Sequence, residues 1–417
     1  MLYLYRLILN LIILLLPFIL IFRLFKKKEN IIRFKEKIGF FSKIKIKKGK
    51  LIWFHGASVG EIQSIIPLIE KYKNSKKISH ILVTSNTVSS SKILENLDEK
   101  KVIHQFFPID NNQIVNKFIN HWKPSIALFV DSEIWPNMLI SLEKNNIPII
   151  SLNSRITKKS FKKWLRFKKF SKFIFGKFNL CLSSNKESVH YLRKLGAKNI
   201  KYYGNLKYAQ SENEKIFIEN HIRKFFSKKK VWCASSTHNF EEEFVGRVHN
   251  LLKRKYKNIL SVIIPRHIDR TNQIIMQMKK LNLKVHLHEP KTKIKEKTDI
   301  YLVNSFGKTK SFYSIINDVF LGGSLIEHGG QNPLEAVRYN CNILHGPNTS
   351  NFREIYEFLG KKKVSEKIKN INQITKILEK SFSTKKNKIN IKGKIKKIGE
   401  KILKNSKKEI DYILDNS

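Results

Sequence analysis

At 417 residues the chain is two or three times a common domain length, so two domains are expected. Hydrophobic residues make up 41% of it and aromatic ones 11%, enough to build cores, which excludes a wholly disordered chain. Lys and Arg number 81 against 33 Asp and Glu, a net charge of +48, which points to an anionic partner and leaves nucleic acid, an anionic membrane surface and a phosphorylated substrate all open. Many lysines fall in Lys/Ile/Asn-rich stretches, KIKIKKGK (43–50) and KNKINIKGKIKK (386–397), where compositional drift explains them as well as binding does. Three separated cysteines, Cys181, Cys233 and Cys341, form no C-x-x-C pair. That argues against a disulfide framework or a thiolate metal site and implies a reducing, cytosolic environment for the body of the protein.

The first element is apolar. Residues 7–22, LILNLIILLLPFILIF, are interrupted only by Asn10 and Pro17, with Arg6 before them and Arg23, Lys26, Lys27 and Lys28 after. The run is slightly shorter than the roughly 20 residues that span a bilayer, so a spanning and a half-inserted helix both fit. No small-x-small cleavage site follows, and an uncleaved anchor is expected. The basic flank places the rest of the chain on the cytoplasmic side and attracts an anionic leaflet.

Beyond the anchor, short apolar runs alternate with longer helical patterns, the signature of βαβ units and a parallel sheet. Strands are predicted at 51–56, 80–85, 125–131, 147–153 and 178–184, and again at 230–235, 259–265, 299–304, 318–324 and 341–347. Two series imply two doubly wound α/β domains, with a break near GNLKYAQSENEK (204–215) and terminal helices after about Lys361. The expected division is an anchor and basic flank over 1–28, a first domain over 29–208 and a second over 209–417.

Ligands of open α/β sheets bind beyond the carboxyl ends of the strands, and the unusual residues cluster there. HGASVGEIQS (55–64) puts Glu61 in a first helical turn, either as helix-end stabilisation or as a general base. The helix dipole would weaken that base, and burial would have to restore it. DSEIWPNM (131–138) presents Glu133, a second carboxylate or a capping segment, and LNSRITKKS (152–160) presents Asn153, Ser154, Arg155 and Lys158 as a phosphate grip or an ordinary loop. ASSTHNFEEE (234–243) offers Ser235, Ser236 and Thr237, and IIPRHIDR (263–270) offers Arg266 and His267, both suited to phosphate. DVFLGGSLIEHGGQNPLEAV (318–337) carries Gly322, Gly323, Gly329 and Gly330 before Asn332, Pro333 and Glu335. Capping explains the last three, whereas the glycines suggest close backbone approach to a nucleotide. GPNTSNF (346–352) adds Asn348, Ser350 and Asn351. With no H-E-x-x-H, Walker-type or D-x-D pattern, a metal-independent mechanism without cofactor is expected.

In this order, WFHGASVGEI, SEIWPN, NSRIT, GNLKY, ASSTH, PRH and VFLGGSLIEHGGQNPLE followed by GPNTSNF resemble the 3-deoxy-D-manno-octulosonic acid (Kdo) transferases of Gram-negative lipopolysaccharide synthesis. The match runs from about Trp53 to Phe352, and residues 1–22 match the family's anchor. The resemblance implies a GT-B glycosyltransferase of two Rossmann-like domains, the first for the acceptor and the second for CMP-Kdo. It would transfer Kdo with inversion to the lipid A precursor at the cytoplasmic face of the inner membrane. Carried over, Glu61 is the catalytic base and Glu133 a second required carboxylate. Donor contacts are expected at Ser236, Arg266, His267, Gly322, Gly323, Asn332, Glu335 and Asn351, and acceptor contacts at Ser58, Asn153 and Arg155. Gln331 departs from the family's usual His, and Lys308 stands where a Glu follows the Gly. The expected partners are CMP-Kdo, the lipid A precursor and inner-membrane lipids, with no nucleic acid. A GT-B enzyme using another nucleotide sugar, or a basic protein that binds an anionic surface without catalysis, are the competing readings.

Overall fold

Apolar runs bounded by glycines and polar turns become the strands of two seven-stranded sheets, in which every strand pair is parallel. The computed structural model describes residues 1–26, 29–41, 49–94, 101–210, 216–384 and 391–416. Lys27 and Lys28 of the basic flank, residues 43–48 and 386–390 of the lysine-rich stretches, and residues 211–215 of the expected domain break lie outside the described residues.

The first sheet comprises β1 (Lys50–His55), β2 (Ile78–Ser85), β3 (Val102–Phe106), β4 (Ile126–Val130), β5 (Ile149–Ser154), β6 (Leu180–Ser183) and β7 (Ile200–Tyr202), in the order β3-β2-β1-β4-β5-β6-β7. The second comprises β8 (Lys230–Thr237), β9 (Ile259–Pro265), β10 (Val285–Leu287), β11 (Ile300–Leu302), β12 (Asp318–Leu321), β13 (Asn342–His345) and β14 (Ser365–Lys367), in the order β10-β11-β9-β8-β12-β13-β14. Strand order reverses direction between β1 and β4 in the first sheet and between β8 and β12 in the second. Crossover helices cover both faces, so successive strand residues enter different cores. Trp53 packs with Phe118 and Phe129 on one face, whereas its neighbours Ile52 and Phe54 pack with Ile62 and Leu68 on the other.

All ten predicted strands are present. The four that the pattern missed, β3, β7, β10 and β14, are the four edge strands. Three of them are only three residues long. An edge strand needs no continuous apolar run, because it is covered on fewer sides and is kept short against unwanted pairing.

The chain divides into one unit of Met1–Ser211 with Ile395–Ser417 and a second of Glu212–Lys394. The tail therefore departs from the expected second domain of 209–417. The helix Ile371–Ser383 does pack in the second unit, through Ile374 and Leu378. The last helix, Lys392–Asp415, returns to the first, where Ile402, Ile410 and Leu414 join the core of Ile52 and Leu68. Tyr72 donates to Asp411 at 3.0 Å and Lys201 pairs with Glu409 at 2.7 Å. The tail's helical spacing reveals an apolar face, but not which sheet that face covers.

The N-terminal helix Leu2–Phe25 is long and apolar enough to cross a membrane. Leu14 and Phe18 are 72% and 73% exposed, and Leu20 is its one buried residue. Just past it, the buried carboxylate of Glu29 pairs with Arg23 at 2.6 Å and Lys37 at 2.7 Å.

Candidate functional site

At the reversal point of the first sheet, the ends of β1 and β4 lie side by side. Beyond β1, Ser58 caps the helix Val59–Lys73. Its Oγ donates to Glu61 Oε1 at 2.8 Å, and Glu61 Oε2 accepts the Ala57 N–H at 2.7 Å. Capping is thus real. Even so, burial, with the nearby charges of Asp131 and Glu133, raises the Glu61 carboxyl to about 7 against those two hydrogen bonds. Desolvation outweighs the helix end, and a carboxylate that titrates near neutrality has the basicity to take a proton from an alcohol.

Beyond β4 the chain turns through Asp131, held at φ 62°, to Glu133. Glu133 Oε2 accepts the Trp135 indole N–H at 2.9 Å and lies 3.3 Å from His55 Nε2. His55 is fully buried, with Nδ1 3.0 Å from Thr84 Oγ1 and its ring stacked on Phe107. Arg155 Nε lies 3.9 Å from Asp131 Oδ1. Lys207 sits close to Asp131, Arg155 and Glu61, its pKa lowered by burial in spite of the two carboxylates. Asn153 is the bulged residue of β5, at φ 54°, and its buried carboxamide accepts the Leu206 N–H at 2.9 Å. It braces the segment that carries Lys207. Ser58, Glu61, Glu133 and Arg155 therefore converge around Asp131, while Asn153 lies beneath them. Sequence reasoning gave no role to His55, Asp131 or Lys207. All three lie in quoted motifs, at or after a strand end, which was the available signal.

The reversal point of the second sheet brings β8 beside β12. Ser236 is the bulged residue of β8, at φ 56°. A Cβ on Gly322 would lie 2.4 Å from the Ser236 carbonyl oxygen, and one on Gly329 would lie 2.7 Å from the Asn351 side chain. The close approaches that call for these two glycines are thus made by the chain itself. The glycine loop is held from within by Glu241, a buried carboxylate missed by the sequence reading. It accepts N–H groups from His238 (2.9 Å), Gly323 (2.7 Å), Ser324 (3.1 Å) and Leu325 (3.1 Å). Asn332 accepts the Leu334 N–H at 3.2 Å, and Asn351 donates to the His328 carbonyl at 2.9 Å. Glu335 is half-buried near the Tyr313 phenol, whose pKa it helps to raise.

Histidines and arginines surround this loop. The His238 ring lies 4.4 Å from that of His328 and 5.9 Å from that of His267. Burial first, then His328, His267, Arg266 and Arg270, lower His238 to about 4. The departing residue Gln331 has Nε2 3.3 Å from His238 Nε2. Arg266 and His267 are exposed, and Arg270 is tied to the buried Glu242 at 2.9 Å. A neutral imidazole among cations at strand ends is suited to an anion such as a phosphate. Among the described residues no three His, Cys, Asp or Glu side chains gather as a metal set.

A third feature belongs to the first unit. The helices Lys158–Leu165 and Lys168–Phe175 and the turn between them carry eight cations between 158 and 172 and no carboxylate, with Leu165, Phe167 and Phe173 exposed.

The family profile described as 3-deoxy-D-manno-octulosonic-acid transferase (kdotransferase) matches residues 32–210. A 3-deoxy-D-manno-octulosonic acid transferase of Rickettsia typhi is 32% identical over 77% of this chain and 69% of its own length. One of Rickettsia bellii is 32% identical over 88% of each. In fold, the chain is similar to a UDP-GlcNAc 2-epimerase of Neisseria meningitidis bound to UDP-GlcNAc, with a TM-score of 0.58 and 12% identity over 88% of this chain and 100% of that one. The two parallel-sheet units are those of the GT-B class expected from the sequence.

Proposed function

The chain belongs to the 3-deoxy-D-manno-octulosonic acid transferase family and is a glycosyltransferase, and we propose that it transfers Kdo from CMP-Kdo to the lipid A precursor, lipid IV-A, with inversion. The observation that carries this reading is the Glu61 carboxyl, raised to about 7 at the reversal point of a doubly wound sheet. Glu61 takes the proton of an acceptor hydroxyl. The resulting oxygen bonds to the anomeric carbon as the bond from that carbon to the CMP phosphate breaks, and CMP leaves with the electron pair. Asp131 and Glu133 keep Glu61 basic through their charge. Arg155 and Lys207 offset those carboxylates and supply positive charge for the phosphates of the acceptor.

The second unit binds the donor. Arg266, with the His238, His267 and His328 group, faces the CMP phosphate and stabilises the charge that develops as CMP departs. Ser236, Asn332, Glu335 and Asn351 line the rest of the nucleotide site. The sugar is already joined to a good leaving group, so a base and a cationic pocket suffice, and we read the reaction as independent of metal.

The N-terminal helix holds the enzyme at its lipid acceptor. Tyr5, Arg6 and Asn10 bond to the body, while apolar side chains elsewhere on the helix, among them Leu4, Leu7, Leu14 and Phe18, are exposed and face the lipid of the inner membrane. The basic pair of helices at 158–175 lies against the anionic headgroups. Mass spectrometry of lipid IV-A after incubation with CMP-Kdo and the protein tests the reading. A product heavier by Kdo is expected, and an unmodified acceptor, or transfer only from another nucleotide sugar, would overturn it.

A further inference from the structure

Polar side chains, besides Leu2, which packs against the core of Trp53 and Phe118, tie the N-terminal helix to the body near its start. A cavity of about 490 Å³ lies between them, lined by Arg6, Asn10 and Ile13 of the helix and by Asn111, Gln113 and Asn137 of the body. Beside it, Tyr5 donates its phenol to Asp110 Oδ2 at 2.7 Å, Arg6 Nε donates to Asn137 Oδ1 at 2.9 Å, and Asn111 donates to Asn10 at 3.0 Å.

Asp110 is 1% exposed and caps a helix to which it does not belong. The helix Pro136–Lys144 starts at Trp135 without a side-chain cap of its own. Asp110 supplies one: Oδ2 accepts the Asn137 N–H at 3.0 Å and Oδ1 the Met138 N–H at 2.8 Å, while the Asn137 carboxamide donates to the Asp110 carbonyl at 2.6 Å. The same turn carries Glu133, whose carboxylate takes the Trp135 indole N–H. An unbroken path therefore runs from the phenol of Tyr5, through a buried carboxylate and the first turn of a helix, to the indole that aims Glu133. Burial holds the Asp110 carboxyl at about 6 in spite of its donors, so loss of any one of them is costly.

We propose that Tyr5 and Arg6 are positioning residues for the Glu133 turn, so that the seated N-terminal helix orients an acceptor-side carboxylate as well as tethering the protein. This rests on the reading above that Glu133 serves the transferase reaction. A helix acting only as a tether would need its lipid-facing apolar residues. A helix that positions the turn needs the hydroxyl of Tyr5 and the guanidinium of Arg6.

The test uses the full chain on vesicles of phosphatidylethanolamine and phosphatidylglycerol carrying lipid IV-A. Tyr5→Phe keeps the ring and removes the hydroxyl. Its expected effects are unchanged co-flotation with vesicles, kcat lower by about tenfold, the effect of one hydrogen bond to a charged group, and KM for CMP-Kdo within about twofold. Arg6→Gln, which cuts the Asn137 tie, keeps the Tyr5 bond to Asp110 and removes the nearby positive charge that favours the ionised Asp110, shifts kcat the same way. Combined with Trp135→Phe, Tyr5→Phe adds little further loss, because both act through Glu133. Hydrogen exchange of the peptide 131–144, read without turnover, quickens in Tyr5→Phe. An unchanged kcat, fully additive losses with Trp135→Phe, or a loss matched by lost flotation would each overturn the inference. Wild-type protein that transfers no Kdo would instead sink the functional reading, with the exchange data still reporting on the path.

Discussion

Ser58 and Glu61 hold one another across the first turn of a helix: the hydroxyl donates to the carboxylate at 2.8 Å and accepts the Glu61 N–H at 3.4 Å. The first bond favours the ionised carboxylate and so lowers a pKa that burial and two carboxylates raise. Ser58→Ala is expected to move the Glu61 carboxyl above 7 and to cost about 1 kcal/mol of stability for the lost cap. The pH profile of kcat/KM would show its acid limb displaced upward, and a displacement downward would contradict the assignment.

Glu61→Gln is expected to abolish most transfer, by on the order of 10²–10⁴-fold, the contribution of a general base. Its effect on stability should run the other way. A carboxyl raised in the folded state contributes stability below its unfolded pKa near 4.5, and loses that contribution as pH rises through about 7. Above that point the folded protein holds an ill-solvated anion. The neutral amide removes this cost, so Glu61→Gln should melt higher than wild type at pH 8, by about 1 kcal/mol after screening by solvent, and the advantage should shrink toward pH 5. Thermal melts across that range decide it.

His238 gives the reciprocal signal in the second unit. Its pKa is lowered to about 4 by burial and by surrounding cations, so its contribution to stability is present above pH 6.5 and is lost as pH falls through 4. A phosphate placed among those cations should raise the His238 pKa. Titration of the imidazole by NMR with and without CMP is expected to show an upward shift with CMP and a smaller one in Arg266→Ala. No shift would remove this pocket from donor binding. UDP in place of CMP tests the other nucleotide-sugar reading, and stronger thermal stabilisation by UDP would favour it.

Gly322 and Gly60 make a contrasting pair. A methyl group at 322 would meet the Ser236 carbonyl and the Thr237 Cα, both backbone, so Gly322→Ala should cost about 2–3 kcal/mol. At Gly60, within the helix Val59–Lys73, nothing lies within 4 Å of an added Cβ, and Gly60→Ala should stabilise by about 0.5–1 kcal/mol. Denaturant melts of the two variants check both signs.

The ten predicted strands were legible because each is a continuous apolar run closed by a turn. β7, β10 and β14, at three residues apiece, carry too little pattern to announce themselves. Glu61 and Glu133 were legible by position, each a few residues past a strand end. Asp131 was not, because nothing in its local sequence separates it from a turn residue until β1 and β4 are known to be neighbours. Two of the four glycines answer to contacts within the chain, with Ser236 and Asn351, which glycine content alone does not reveal.

By itself the sequence determined the alternation of strands and helices, the apolar first helix and the chemical types that follow each strand, because these are local properties of pattern and composition. The tertiary structure decided which strand ends meet, and with that the basicity of Glu61. A carboxylate's pKa depends on buried surroundings and on charges contributed from distant positions. It also decided that the last helix covers the first sheet and that Tyr5 reaches Asp110, since an amphipathic face or a phenol can be read from the chain, whereas its partner is chosen only by the fold.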